Sequence, residues 1–349
     1  MSENKNNNIN IGRVALAALV TLFLLGGFLG FKKWPPFSWI YYGYHDTKTL
    51  ITEFMQPRPT ILLGQTYEGS GIIVHNVGKV FKGYTVLQGI FEDGVEMRMV
   101  DMNGNIINVW PIDFFDIWPE PVHLSPEKIP NGNYNYHSQG NLVLPDGSVI
   151  VNLGYLGTVK LDKCANVIWT VNRMTRHFVQ HTTRGTYYIG ANREIDDIND
   201  DILLFGVKKS WLKNTYQRYE NTVLEVDTDG KIIDEFSVLE PFFNAGLEGS
   251  LYDVAKITLD DPTHHNDIEI VTTELANKIK NVNTGDLLLS IRNMHMLVIL
   301  DQTTKQIKWK YSGGFTRQHD PDIMSDGTIV LFNNSRKNYG FNRPLGSSL

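Results

Sequence analysis

Four histidines carry the strongest chemical signal in this chain. His137 (YHSQGNLVL), His177 (RHFVQHTT), His264 (HHNDIEIV) and His319 (QHDPDIM) each stand near the start of an apolar segment that runs toward a turn glycine. The distances to that glycine are 10, 8, 21 and 8 residues, the third lengthened by an insertion. If these segments are equivalent strands of a repeating fold, the four imidazoles face one axis and form a compact cluster, as a catalytic site requires. Arg292 closes the strand LLLSIRN of the His264 unit, and its planar, permanently charged fork suits a tetrahedral oxyanion such as sulfate or phosphate. His45, His75, His123, His181 and His295 fit no equivalent position and read as surface or structural residues.

The elements that would position these groups repeat. MVDMNGNIINVW, KLDKCANVIW, EVDTDGKIIDEF and ILDQTTKQIKW share the phrase apolar-Asp, short turn, apolar strand, aromatic. Their aspartates, Asp101, Asp162, Asp227 and Asp301, lie 61, 65 and 74 residues apart. Each phrase is a hairpin signal, with another strand upstream: GYTVLQGI, SVIVNLG, TYYIGAN and DLLLSIRN. A four-stranded unit repeated around a ring is a β-propeller, whose innermost strands line the central channel. The expected fold class is therefore all-β, a propeller over residues 58–349. The last unit stops after its second strand, so its outer strands are expected from the N-terminal part of the chain, or the chain is incomplete.

Ahead of the propeller, Val14 to Phe31 reads VALAALVTLFLLGGFLGF without a charged residue. Eighteen residues at about 1.5 Å each cover most of a bilayer's hydrocarbon core. Arg13 on one side and Lys32, Lys33 and Trp34 on the other are interfacial anchors, and no A-x-A-like cleavage site follows. The expectation is a retained signal-anchor at 14–31, after a tail at 1–13 and before a linker at 32–57.

Composition removes several classes of function. With 32 Lys+Arg against 38 Asp+Glu the net charge is −6, and no basic run offers the clustered cations that nucleic-acid binding needs. Cys164 is alone, so neither an internal disulfide nor a CxxC zinc site can form. The acidic runs Asp196–Asp201 and Asp260-Asp261 lack the glycine and distal glutamate of an EF-hand and read as solvated loop ends. No metal site and no cofactor is expected.

Taken together, HHNDIEI, GDLLLSIRN, RQHDPDI and DGTIVLFNN resemble the bacterial aryl-sulfate sulfotransferases (ASST-type), most densely from Asp261 to Asn334. The resemblance implies a six-bladed propeller on the periplasmic face of the inner membrane. It also implies sulfuryl transfer from a phenolic sulfate ester to a phenolic acceptor, without a nucleotide donor. By motif match, His319 in Gln318-His319 is the nucleophile that becomes transiently sulfated. His264 and Asn266 form the His-x-Asn motif, Arg292 ends the Ser-x-Arg motif, and His177 opens an earlier blade in the doublet Arg176-His177. His137, His265, Asn266 and Gln318 are expected against the substrate. Two alternatives stay open: a hydrolase on the same scaffold, and a non-catalytic propeller that binds a ligand or a protein.

Overall fold

The computed structural model describes residues 11–31, 78–133, 135–198, 219–255 and 261–334, with scattered positions between 39 and 76. The chain divides into two units, Met1–Gly69 and Ser70–Leu349. In the first, helix α1 spans Ile11–Phe31. Its described side chains run unbroken only from Val14 to Leu29, and among the described residues no helix is long and apolar enough to cross a membrane.

The second unit is a series of antiparallel sheets. Strands β1–β3 (Thr85–Phe91, Gly94–Val100, Ile106–Pro111) make the first. The next three are four-stranded, each in simple chain order. They are β4–β7 (Ser138–Val143, Val149–Leu153, Gly157–Leu161, Val167–Val171), β8–β11 (Thr175–His181, Tyr187–Glu194, Tyr219–Val226, Ile232–Ser237) and β12–β15 (His265–Ile270, Leu287–Ile291, Met296–Leu300, Ile307–Tyr311). Strands β16 and β17 (His319–Ile323, Ile329–Phe332) pair as the fifth. The leading strands β4, β8, β12 and β16 pack against one another in that order. This is how propeller blades meet around a channel. Five sheets stand among the described residues, where six blades are expected. The strands expected to complete the last sheet fall outside those residues.

The repeated phrase now has a physical basis. Each of its aspartates sits in the turn before an outermost strand and accepts backbone N–H groups from within that turn. Asp101 accepts from Asn103 and Asn105, Asp162 from Cys164 and Asn166, and Asp227 from Asp229 and Lys231, all at 2.8–3.0 Å. Asp301 does the same for Thr303 and Thr304. The closing tryptophan reaches the next sheet: Trp110 Nε1 donates to Asp162 O at 3.1 Å and Trp169 Nε1 to Thr228 O at 2.9 Å. The phrase therefore encodes both the hairpin and its attachment to the following one. Because Asp101 lies between β2 and β3, the first sheet holds counterparts of the second to fourth strands of its neighbours. Apolar clusters fill the seams between sheets, such as Val223, Ile268, Leu289 and Val298 between the third and fourth.

Candidate active site

A β-bulge interrupts each leading strand at the level of the histidines. Pairing shifts register between Ser138 and Asn141 in β4, Thr175 and Val179 in β8, His265 and Asp267 in β12, and His319 and Asp322 in β16. A bulge bends the strand and re-aims its side chains. Positive φ accompanies it at His177 (60°) in β8 and Asp320 (53°) in β16, and occurs at His264 (45°) just ahead of β12, conformations that cost a non-glycine residue energy and concentrate at functional sites. Gly140 makes the bulges fit together: a Cβ there would lie 1.9 Å from His177 O and 2.5 Å from Phe178 Cα.

Three of the four histidines meet. The His177 ring centroid is 5.0 Å from that of His264 and 6.5 Å from that of His319. Arg292 begins the turn after β13, its backbone N–H 3.4 Å from His264 O, and its charge acts on both His264 and His319. His319 Nδ1–H donates to Arg317 O at 3.0 Å, and Asn334 Nδ2 donates to the same carbonyl at 2.9 Å. Asn334 Nδ2 also lies 3.0 Å from His319 Nδ1; in the tautomer that donates Nδ1–H to Arg317 O, Nε2 keeps its lone pair. Burial first, then the Arg292 guanidinium, lowers its pKa, so the ring is neutral at ordinary pH.

The centre of the cluster is an ion pair. Arg176 is 1% exposed. Its Nη1 donates to Asp261 Oδ2 at 2.8 Å and its Nη2 to His177 Nε2 at 2.7 Å, and Nη2 lies 3.1 Å from both ring nitrogens of His264. Its Cζ lies 5.0 Å over the Tyr155 ring. Asp261 Oδ2 also takes His264 Nδ1–H at 2.7 Å, while Oδ1 accepts the His264 backbone N–H at 3.1 Å. Burial opposes ionisation of Asp261, but the His264 hydrogen bond and the Arg176 charge outweigh it and hold the carboxyl well below the usual range. His264 is pushed down to about 4 by burial and Arg176 against the pull of Asp261. Burial, then Arg176 and the neighbouring imidazoles, hold His177 far below its ordinary value. Asp261 is thus no solvated loop end, which corrects the reading from its acidic neighbourhood. A lone acidic pair looks the same in sequence whether solvent or a distant arginine faces it.

The remaining expected residues divide. Asn266 Nδ2 donates to Gln318 O at 2.8 Å, and Gln318, fully buried, donates to Ser290 Oγ and Met296 O. These two tie β12 to the strand carrying His319. His265 is buried against Phe178, its Nε2 on Asp267 O at 2.8 Å, and burial pushes it down to about 3. His137 precedes the β4 bulge and lines a separate cavity of about 290 Å³ with Tyr155, Tyr219 and Met174. The bulge position of β4 belongs to Gln139, whose Oε1 accepts the His177 N–H at 2.8 Å.

A cavity of about 570 Å³ opens below the cluster, lined by His177, His319, Asn266 and residues of all four leading strands. Among the described residues no three His, Cys, Asp or Glu are placed to hold a metal ion. The arrangement gathers neutral imidazoles, one of them held by a carboxylate, near two guanidiniums, a set with the chemistry to stabilise and move an anionic group.

These features define a propeller-type sheet array with a histidine–arginine site at the converging strands. The family model for arylsulfotransferase (ASST) matches residues 140–348, more than half of the chain, and the chain belongs to that family. No curated protein matches it. Three solved structures are similar in outline. A protein of unknown function from Bacteroides caccae has a TM-score of 0.42 at 8% identity, over 72% of this chain and 66% of that one. The WD40 β-propeller domain of Doa1 has 0.39 at 12%, over 72% and 58%. Virginiamycin B lyase from Staphylococcus aureus has 0.34 at 10%, over 72% and 71%. The chain spans less than two thirds of the length of the first two, and none of the three is near enough to bear on the site.

Proposed function

We propose that this protein transfers a sulfuryl group from an aryl sulfate to a phenol through a sulfo-histidine at His319. The observation that carries the reading is the meeting of His177, His264 and His319, with the Arg292 charge acting on His264 and His319; in the proposal His319 donates Nδ1–H to Arg317 O and attacks through Nε2. Nε2 attacks sulfur in line as the S–O bond to the donor breaks, and the donor departs as phenolate. Arg292 and Arg176 stabilise charge on the sulfuryl oxygens and the departing oxygen. In the second half, the acceptor oxygen forms its bond to sulfur as the S–Nε2 bond breaks. The acceptor proton passes to His264, whose Nδ1–H is anchored on Asp261 as in other carboxylate-backed imidazole bases. His264 is neutral beforehand and so able to accept it. It then returns the proton to solvent or to the first phenolate.

In the same proposal, the apolar run at 14–31 is a retained anchor in the inner membrane, and the sheets face the periplasm. Support comes from the uncharged run and its flanking cations.

Mass spectrometry of the full chain after exposure to 4-nitrophenyl sulfate tests the chemistry. The expected result is a sulfuryl adduct on His319, discharged by added phenol and absent, with turnover, in His319→Ala. Steady nitrophenol release with no adduct and no response to phenol would replace transferase with hydrolase. Binding without any release would leave a non-catalytic propeller.

A further inference from the structure

The carbonyl that meets His319 belongs to a peptide held from both ends. Arg317 O faces His319 Nδ1 and Asn334 Nδ2 at 3.0 and 2.9 Å, and Arg317 N–H donates to His295 Nδ1 at 3.0 Å. A backbone N–H can only donate, so His295 carries its ring proton on Nε2 and spends the Nδ1 lone pair on this bond. Burial first, then the charges of Arg317 and Arg292, lower the His295 pKa and keep Nδ1 an acceptor. Arg317 has φ 50°, a conformation that a non-glycine residue holds only when its surroundings impose it. The neighbouring peptides are tied as well: Thr316 N–H donates to Asn333 Oδ1 at 2.9 Å, and Gln318 O accepts from Asn266 Nδ2 at 2.8 Å. His295 is itself fixed through its backbone. It ends the turn Arg292–Met294 at φ 51°, its N–H lies 3.2 Å from Arg292 O, and its O accepts from Ser312 Oγ at 2.8 Å. One imidazole thus joins the turn that carries Arg292 to the peptide that meets His319.

His295 does not take part in the chemistry directly. It does not line the cavity under the cluster, and with Nδ1 engaged it has no lone pair to receive a proton. What it controls is the direction of a peptide. Which nitrogen of an imidazole carries the proton is set by the partner its other nitrogen meets. Turning the Arg317 peptide would remove the acceptor that draws the His319 proton to Nδ1. The Asn334 amide, 3.0 Å away, would then favour the opposite tautomer by donating to Nδ1. We propose that His295 is a positioning residue for sulfuryl transfer: it holds the Arg317 peptide so that Arg317 O takes Nδ1–H of His319 and Nε2 keeps the lone pair that meets sulfur. The inference rests on the transfer reading for what that lone pair attacks. The S–Nε2 bond forms as the donor S–O bond breaks, and the donor leaves as phenolate. His295 keeps its own proton throughout.

The test pairs His295→Gly with His295→Asn in the full chain. Both remove the ring and both tolerate a positive φ, but only asparagine restores an acceptor, its Oδ1 as many bonds from the backbone as Nδ1. With 4-nitrophenyl sulfate, His295→Gly should charge His319 at least about tenfold more slowly, with the donor concentration for half-maximal charging unchanged, and His295→Asn should return to within about threefold of the parent. Nitrogen NMR of histidine-labelled protein reads the tautomer. His319 should be protonated on Nδ1 in the parent and in His295→Asn, and should shift its proton toward Nε2 in His295→Gly. A parental charging rate in His295→Gly, an asparagine variant as slow as the glycine variant, or a parent His319 protonated on Nε2 overturns the inference. If His295→Gly does not fold, His295→Asn decides: rate and tautomer retained support the inference, and their loss overturns it. If the parent forms no adduct, the transfer reading is what fails, and the NMR comparison decides the inference alone.

Discussion

Asp261→Asn isolates the ion pair at the heart of the site. The substitution keeps the side chain's shape and removes one charge. Arg176, 1% exposed, then holds a buried guanidinium whose Nη1 and Nη2 face His177, His264 and an amide instead of a carboxylate. Breaking a buried pair from one side costs about 3–5 kcal/mol, because the surviving charge is left uncompensated. Arg176→Met removes the other partner and leaves Asp261 to His264 alone. If the pair is the unit, the double variant loses less than the sum of the two single losses, by about 2 kcal/mol or more. Urea unfolding of the four proteins measures this. The same substitution takes the anionic acceptor from His264 Nδ1–H, 2.7 Å away. It should therefore slow the acceptor-dependent half-reaction about 100-fold while adduct formation on His319 persists. Additive losses, or an Asp261→Asn protein within about 1 kcal/mol of the parent, would show that the two groups do not act together.

Two further outcomes follow from the channel. Glu269 has an ordinary pKa of 4.5 and is raised to about 7 in the fold. Its stabilising contribution is therefore fully present below pH 4.5 and is lost as pH rises through 7. The difference is about 3 kcal/mol, so Glu269→Gln should shrink the stability gap between pH 5 and pH 8.5 by roughly that amount in urea titrations; an unchanged gap would contradict burial, then the charges of Asp322 and Asp320, as the cause of the raised value. Gly140→Ala places a methyl 1.9 Å from His177 O, and since backbone atoms cannot step aside singly, β4 and β8 must separate. A loss of about 3 kcal/mol or more is expected, together with lower activity, and a variant as stable and active as the parent would mean the two bulges are not packed as described.

What the sequence disclosed and what it hid divide along one line, the difference between repeating and singular features. The Asp-turn-aromatic phrase repeats because every sheet needs the same turn and nearly every sheet ties to the next, so Asp101, Asp162, Asp227 and Asp301 announced the architecture. His177, His264 and His319 could be aligned for the same reason, each standing at or beside a bulge near the start of a leading strand. His137 passed the same test and landed elsewhere. Spacing to a glycine does not reveal that Ser138–Asn141 places Gln139 in the bulge and leaves the histidine outside it. Asp261 belongs to an insertion with no counterpart in the other units, and its partner Arg176 lies 85 residues earlier. No periodicity connects them; only the convergence of β8 and β12 does. The charged core of the site was illegible for that reason: a ring of blades brings each leading strand against the next, and a singular residue on one finds a singular partner on its neighbour without leaving a pattern in either. The carboxylates of the channel have the same origin. Asp267, Glu269 and Asp320 are unremarkable in HHNDIEI and QHDPDI. Their coupling arises only when β12 packs against β16, where burial and then the charges of Glu269 and Asp320 raise the Asp267 pKa.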